Sequence, residues 1–287
     1  SDTSEETEGS ELVKERILAE DDRPLYIEVG GGANTVARAL MSIEEEYKDQ
    51  DGWEELYNRI CEKVILFAWG MQDDCYLNYI QPNWSSIRMV DVSGSTLAYG
   101  YRWATLEVLS DESREKMSSE WMKENIEQNL GALMDKYVTW GDGTYLEGEA
   151  DTDQYGTNEA LLGDDTLWVG HAYEQYDFLS EGDSPAWFIT IPNGLRSLED
   201  LFYGGWDGRY ALKENDENPD VRLYQAAKGN EKGIASWIAA IQSDFAMRAK
   251  WCVTDKYEDA NHLPEVSVAE GIDLTATAGE EITLNGT

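Results

Sequence analysis

Three observations predict an α/β protein built on a parallel sheet flanked by helices. Apolar segments of strand length recur at Leu25–Val29, Val64–Trp69 and Ile87–Val92, the first two run straight into glycines, and stretches with helical apolar spacing separate them. Strands alternating with helices in this way imply right-handed crossovers within one sheet. At 287 residues the chain holds one large α/β domain or two smaller ones with a full hydrophobic core.

Taken in order, Ser1 to Ser10 is an acidic lead-in, and Ser10 is the expected N-cap of a helix carrying Leu12, Val13, Arg16 and Ile17 on one face. The stretch Arg23 to Leu40, RPLYIEVGGGANTVARAL, is the organising element. Leu25, Ile27 and Val29 alternate with Tyr26 and Glu28, three glycines follow, and Val36, Ala37, Leu40 and Met41 then fall at helical spacing. In an open α/β sheet ligands sit beyond the carboxyl ends of the strands, so Val29 to Asn34 is a candidate site wall. GGGAN lacks the spacing of a dinucleotide fingerprint and no GK[ST] follows, so a turn needing positive φ and close helix packing is an equal reading.

A second helix, Trp53 to Cys61, leads into VILFAW, a continuous apolar run suited to a strand buried on both faces. It ends in Gly70, Met71, Gln72, Asp73 and Asp74, where Asp73 and Asp74 either face a sheet-end site or cap the helix-compatible stretch Tyr76 to Ile80. Ser113 to Tyr137 is helical by pattern. Asp142 to Asp165 is a long glycine- and acid-rich loop without the spacing of an EF-hand. In EGDSPAWFITIPNG, residues 181–194, Asp183 or Ser184 caps a helix opened by Pro185, or the segment approaches as another strand. GGWDGRY, residues 204–210, is an aromatic glycine turn, and Gly233 to Trp251 is the clearest helix. Beyond His262 the alternation of Val266, Val268, Leu274, Ile282 and Leu284 looks like the opening strands of a β-sandwich too short to bury a core, which divides the chain at 1–262 and 263–287.

The balance of 58 acidic against 22 basic residues gives a formal charge of −36, which disfavours nucleic acid and anionic lipid as partners. A solvated acidic surface and a set of Ca²⁺-holding carboxylates are the two readings of that acidity, and the first needs no special site. Cys61, Cys75 and Cys252 show no disulfide or zinc spacing and are expected as small buried apolar residues. No run of 18 apolar residues exists, and the acidic N-terminus does not read as a signal peptide, so an export signal is expected upstream of Ser1.

Several stretches together resemble a family: SEETEGSELVKERI, RPLYIEVGGGANTVARAL, the strand ending in QDD, EGDSPAWFITIPNGL, GGWDGRY, DFAMRAKWC and ANHLP, covering residues 5–265. In this order they are similar to the nucleoside-hydrolase-like domain of secreted bacterial proteins labelled cellulose-binding. The resemblance implies a nucleoside-hydrolase-type fold and a secreted or cell-surface protein with a carbohydrate or nucleoside-like ligand. It also implies one Ca²⁺, held in part by the Val29 carbonyl and by Asp183, orienting a water for attack on an anomeric carbon. Two departures accompany it. No DxDxxxDD cluster is present, so the metal-binding aspartates are expected on a strand ahead of Ser1, in an N-terminal segment of the same protein, and Gly182 stands where nucleoside hydrolases carry histidine.

The candidate substrate-binding residues are Asn34, Gln72, Asp73, Asp74, His171, Glu181, Asn193 and Trp206. His171 beside the long loop is a pocket residue or a structural histidine, and His262 reads as structural. Trp69, Trp187 and Trp206 suit stacking on a sugar ring, with core packing an equal account of the first two. No catalytic residue is assigned. Three functions stay open: a hydrolase of N- or O-glycosidic bonds using a Ca²⁺-oriented water, a non-catalytic binder of plant cell-wall polysaccharide that uses the same cleft, or a scaffold domain with no ligand.

Overall fold

The computed structural model describes residues 2–93, 109–141, 174–178, 181, 183–230 and 233–286. Helix α1, Glu8–Leu18, starts one turn earlier than the Ser10 cap expected from sequence. Thr7 is the N-cap: its hydroxyl accepts the Ser10 N–H at 3.1 Å while Ser10 Oγ accepts the Thr7 N–H at 2.9 Å. This reciprocal box satisfies two donors that the first helical turn leaves free.

The strands β1 (Leu25–Val29), β2 (Val64–Ala68), β3 (Arg88–Asp91), β4 (Tyr210–Leu212) and β5 (Arg222–Ala226) form one sheet in the order β1-β2-β3-β5-β4. All neighbours run parallel except β4, which returns antiparallel to β5. Helices α2 (Asn34–Tyr47) and α3 (Trp53–Lys63) join β1 to β2. Every residue of β2 is buried, because Val64 and Leu66 pack with Leu40, Ile43 and Ile60 while Ile65 and Phe67 meet Ala186, Ile189 and Tyr210 on the opposite face. A strand covered on both sides has no polar face, which is why VILFAW does not alternate. Trp84, 1 % exposed, closes the first core by stacking on Tyr57 at 5.0 Å and meeting Trp53 edge-on at 5.6 Å.

A third cluster forms around α4, Ile238–Trp251, which packs Ile238, Ile241 and Ala246 against Met122, Ile126 and Met134. The stretch expected as one helix over 113–137 is a chain of short turns, Asp111–Glu115, Ser119–Met122, Lys123–Glu127 and Gly131–Met134. Ser118 starts a fresh helix by accepting the Trp121 N–H, and Asn129 and Gly131 take left-handed φ of 61° and 82°. A further difference concerns the cysteines. Cys61 and Cys75 are buried as expected, whereas Cys252 is exposed. Residues 263–286 show one isolated bridge, Val268 with Gly286, and no ladder among the described residues; the Arg196–Asp273 ion pair ties this tail to the domain.

Candidate functional site

The parallel strands deliver their carboxyl ends to a single rim, and the glycine turn after β1 is the first part of it. Gly31 sits at φ 95°, and a β-carbon built on Gly32 would stand 2.2 Å from Asp73 Oδ2. Asp73 arrives from the end of β2. Its Oδ2 accepts the Asn34 N–H at 3.1 Å and its Oδ1 the Cys75 N–H at 2.9 Å. The close approach that the glycines permit is therefore made by a carboxylate of the same chain, which caps α2 across the gap between two strands and complements the positive end of that helix. Asp74 is exposed, and its carbonyl starts the wide helical turn Tyr76–Ile80 by accepting the Asn78 N–H at 2.9 Å.

Asp183 lies on the same rim. Gln72 Nε2 donates to Asp183 Oδ1 at 2.8 Å and reaches back to the Trp69 carbonyl at 3.2 Å, and Asp183 Oδ2 is 4.0 Å from where a Gly30 β-carbon would stand. The carboxylate therefore stands beside Gly30, the first residue of the glycine turn. Glu28 on β1 has its carboxyl pushed up, first by burial and then by the negative charge of Asp183. Asp183 is followed by the single-turn helix Pro185–Phe188, with Pro185 in its first turn, which packs on β1 and β2. Of the two forms open for this segment, the structure takes the helical one. It presents Trp187 to solvent at 55 % exposure.

Asp91 belongs to this rim and sequence reasoning missed it. At the end of β3, 8 % exposed, it accepts Gly70 N–H, Ser93 N–H and Ser93 Oγ–H on Oδ1 at 3.2, 3.1 and 2.6 Å, and Gln225 Nε2 on Oδ2 at 3.1 Å. One carboxylate so locks the ends of β2, β3 and β5. The available signal was a lone acid inside the apolar run IRMVDV.

The other predicted residues divide. Glu181 accepts the Tyr137 hydroxyl at 2.7 Å and lines a cavity of about 310 Å³. Trp206, 7 % exposed, is a wall of that cavity together with Phe188. Asn193 turns back on its own chain, its Oδ1 accepting the Leu195 N–H at 3.0 Å. His262 stacks on Tyr257 at 3.6 Å and contacts the Tyr257 carbonyl through Nε2. His171 and the long loop lie outside the described residues.

As a Ca²⁺ site the described residues do not suffice. The ion takes about six to eight hard oxygens. The rim offers the Asp183 carboxylate, already engaged by Gln72, the Val29 carbonyl, and Glu28 nearby, and no group of three acidic, histidine or cysteine side chains able to hold a metal stands among the described residues.

Over residues 1–210 the chain matches the family described as "Cellulose-binding Sde182, nucleoside hydrolase-like domain". No curated protein matches it. Among solved structures it resembles a nucleoside hydrolase-related hypothetical protein from Saccharophagus degradans that is associated with carbohydrate metabolism. The TM-score is 0.56 at 18 % identity, and the alignment covers 95 % of this chain and 54 % of that one. At that identity the likeness is one of fold, and this chain spans about half the length of the neighbour. Because the family match takes in most of the 287 residues, the chain belongs to the cellulose-binding, nucleoside-hydrolase-like family.

Proposed function

We propose that the strand-end rim binds carbohydrate without chemistry of its own, taking a neutral sugar chain of the plant cell-wall type outside the cell. The observation that carries this reading is the Asp183–Gln72 pair, 2.8 Å apart, with Trp187 exposed four residues beyond the carboxylate. A fixed carboxylate and amide offer oxygen acceptors to sugar hydroxyls, and an exposed indole offers a face to the ring C–H groups. Family membership and the carbohydrate association of the structural neighbour support the same class of ligand. Among the described residues no helix is long and apolar enough to cross a membrane.

Titration with cello- and xylo-oligosaccharides tests it. Trp187→Ala and Asp183→Asn are each expected to weaken binding by roughly tenfold or more, from loss of a stacking face or of a charge-assisted hydrogen bond. Binding is expected to survive EDTA. No detectable saccharide binding, or full affinity in both variants, would refute the reading.

A second reading is favoured by the approach of Asp183 Oδ2 to Gly30 beside a Glu28 whose charge is already disfavoured. It is a glycosidic-bond hydrolase whose remaining metal-binding carboxylates come from outside the described residues, for which the free edge of β1, paired among the described residues only with β2, is a geometrically suited entry. Saccharide affinity or thermal stability that EDTA abolishes and Ca²⁺ restores would support it, because a metal held only by the native state stabilises it by mass action.

A further inference from the structure

We infer that the cavity lined by Glu181, Phe188 and Ile191 on one side and by α4 on the other is a subsite for one uncharged sugar ring, so that the protein captures a chain end or a short soluble oligosaccharide rather than the flat face of a packed polymer. The cavity measures about 310 Å³, at the lower limit of the roughly 300–1,000 Å³ typical of small-molecule pockets, a size that accommodates a single ring. Its walls are aromatic: Tyr137 and Phe245 meet edge to face at 5.0 Å, with Phe188 and Trp206 completing them. Its polar groups are Glu181, Asp244 and Arg248.

Asp244 is the second, independent observation. It is 7 % exposed and binds Arg248 Nε through Oδ2 at 2.6 Å, while its Oδ1 has no hydrogen-bond partner among the described residues. A buried carboxylate oxygen left in that state is destabilising, and a hydroxyl donor brought in by a ligand satisfies it. Glu181 accepts a further hydroxyl. Two carboxylates against one guanidinium leave the cavity with a formal charge of −1, which selects a neutral ring over a uronate.

The cavity adjoins the rim through one segment. Glu181, Phe188 and Ile191 face the cavity, while Asp183, between them in sequence, holds Gln72 at the strand ends. A saccharide with its terminal ring in the cavity so has the rim within reach for its next unit. For the class of ligand this inference rests on the carbohydrate reading above.

The test is calorimetric titration of the whole chain with methyl β-glucoside, cellobiose, cellotetraose and glucuronate, and a pull-down on insoluble cellulose. Glu181→Gln preserves an acceptor for Tyr137 and removes the charge; it and Phe245→Ala are expected to lower affinity for methyl β-glucoside by roughly tenfold or more. Glucuronate is expected to bind at least about tenfold more weakly than the neutral glycoside. Retention of that binding in the Asp183→Asn/Trp187→Ala double variant would sustain the cavity even if the rim reading fails. The inference is overturned if Glu181→Gln and a folded Phe245→Ala bind as the parent does. It is equally overturned if insoluble cellulose is retained and soluble oligosaccharides do not compete.

Discussion

Asp207 gives a prediction whose size follows from its surroundings. It sits in the GGWDGRY turn with no exposed surface, and a β-carbon on Gly205 would lie 2.7 Å from its Oδ1, so the glycine is what lets the carboxyl fold inward. Burial pushes this carboxyl up to about 7, and the Tyr210 hydroxyl and its own backbone pull only weakly the other way. Neither carboxyl oxygen makes a well-formed hydrogen bond; the Tyr210 hydroxyl, at 3.3 Å, points at the Asp207 carbonyl instead.

A carboxyl raised in the folded state contributes stability that is complete below its unfolded value of 3.8 and is lost as pH rises towards about 7. At about 1.4 kcal/mol per unit the whole effect is about 4 kcal/mol. Because proteins lose solubility as their net charge nears zero, here at a sequence pI of about 4.1, the usable window opens near pH 5. Between about pH 5 and pH 8 the expected loss from this one group is about 2–3 kcal/mol. Asp207→Asn keeps the shape and abolishes the titration. Urea unfolding followed by tryptophan fluorescence, in parent and variant at each pH, isolates the difference, since the remaining carboxylates cancel between the two proteins. A difference that stays constant within about 0.5 kcal/mol across the window would refute the reasoning.

Gly32→Ala is expected to cost about 2–3 kcal/mol, because the new methyl evicts Asp73 from the Asn34 N–H and undoes the cap of α2; thermal melts check this. Gly31→Ala also strains a left-handed residue but leaves Asp73 in place, so it is expected to cost less, about 1 kcal/mol, in the same assay. Trp84→Ala empties the stack on Tyr57 and is expected to cost about 3–5 kcal/mol, measured as a shift in the urea midpoint with little change in slope.

Much of this was legible in the residues. The period-two alternation of Leu25, Ile27 and Val29 and the apolar block VILFAW gave two strands, and the glycine turn between strand and helix gave the rim. Asp183 was singled out through a motif resemblance, and its pairing with Gln72, more than a hundred residues away, is a tertiary fact that no local pattern carries. β5, RLYQA, was missed because only Leu223 of its five residues is buried, so its side chains do not announce a strand. The broken helices at 111–134 were read as one because apolar spacing survives the interruptions, which come from the Ser118 cap and from the left-handed Asn129 and Gly131. Trp206 faces inward for a related reason. Glycines around an aromatic signal a turn, and a turn can fold its ring inward as readily as outward.

The charge of the chain sets the last prediction. With a formal charge of −36, any anionic ligand approaches against a long-range repulsion that salt screens, so its affinity would rise with ionic strength. A cationic ligand would show the opposite trend. A neutral saccharide held by the Asp183–Gln72 pair, an exposed Trp187 and an aromatic cavity depends on short-range stacking and hydrogen bonds, which a Debye length of about 10 Å at about 0.1 M salt does not reach. Affinity for cello-oligosaccharides is therefore expected to change by less than about twofold between about 0.05 and 0.5 M NaCl in calorimetric titrations. A tenfold rise over that interval would mean that the bound species carries negative charge, and a tenfold fall that it carries positive charge. Either outcome would remove the neutral sugar from the rim and leave its carboxylates to another class of ligand.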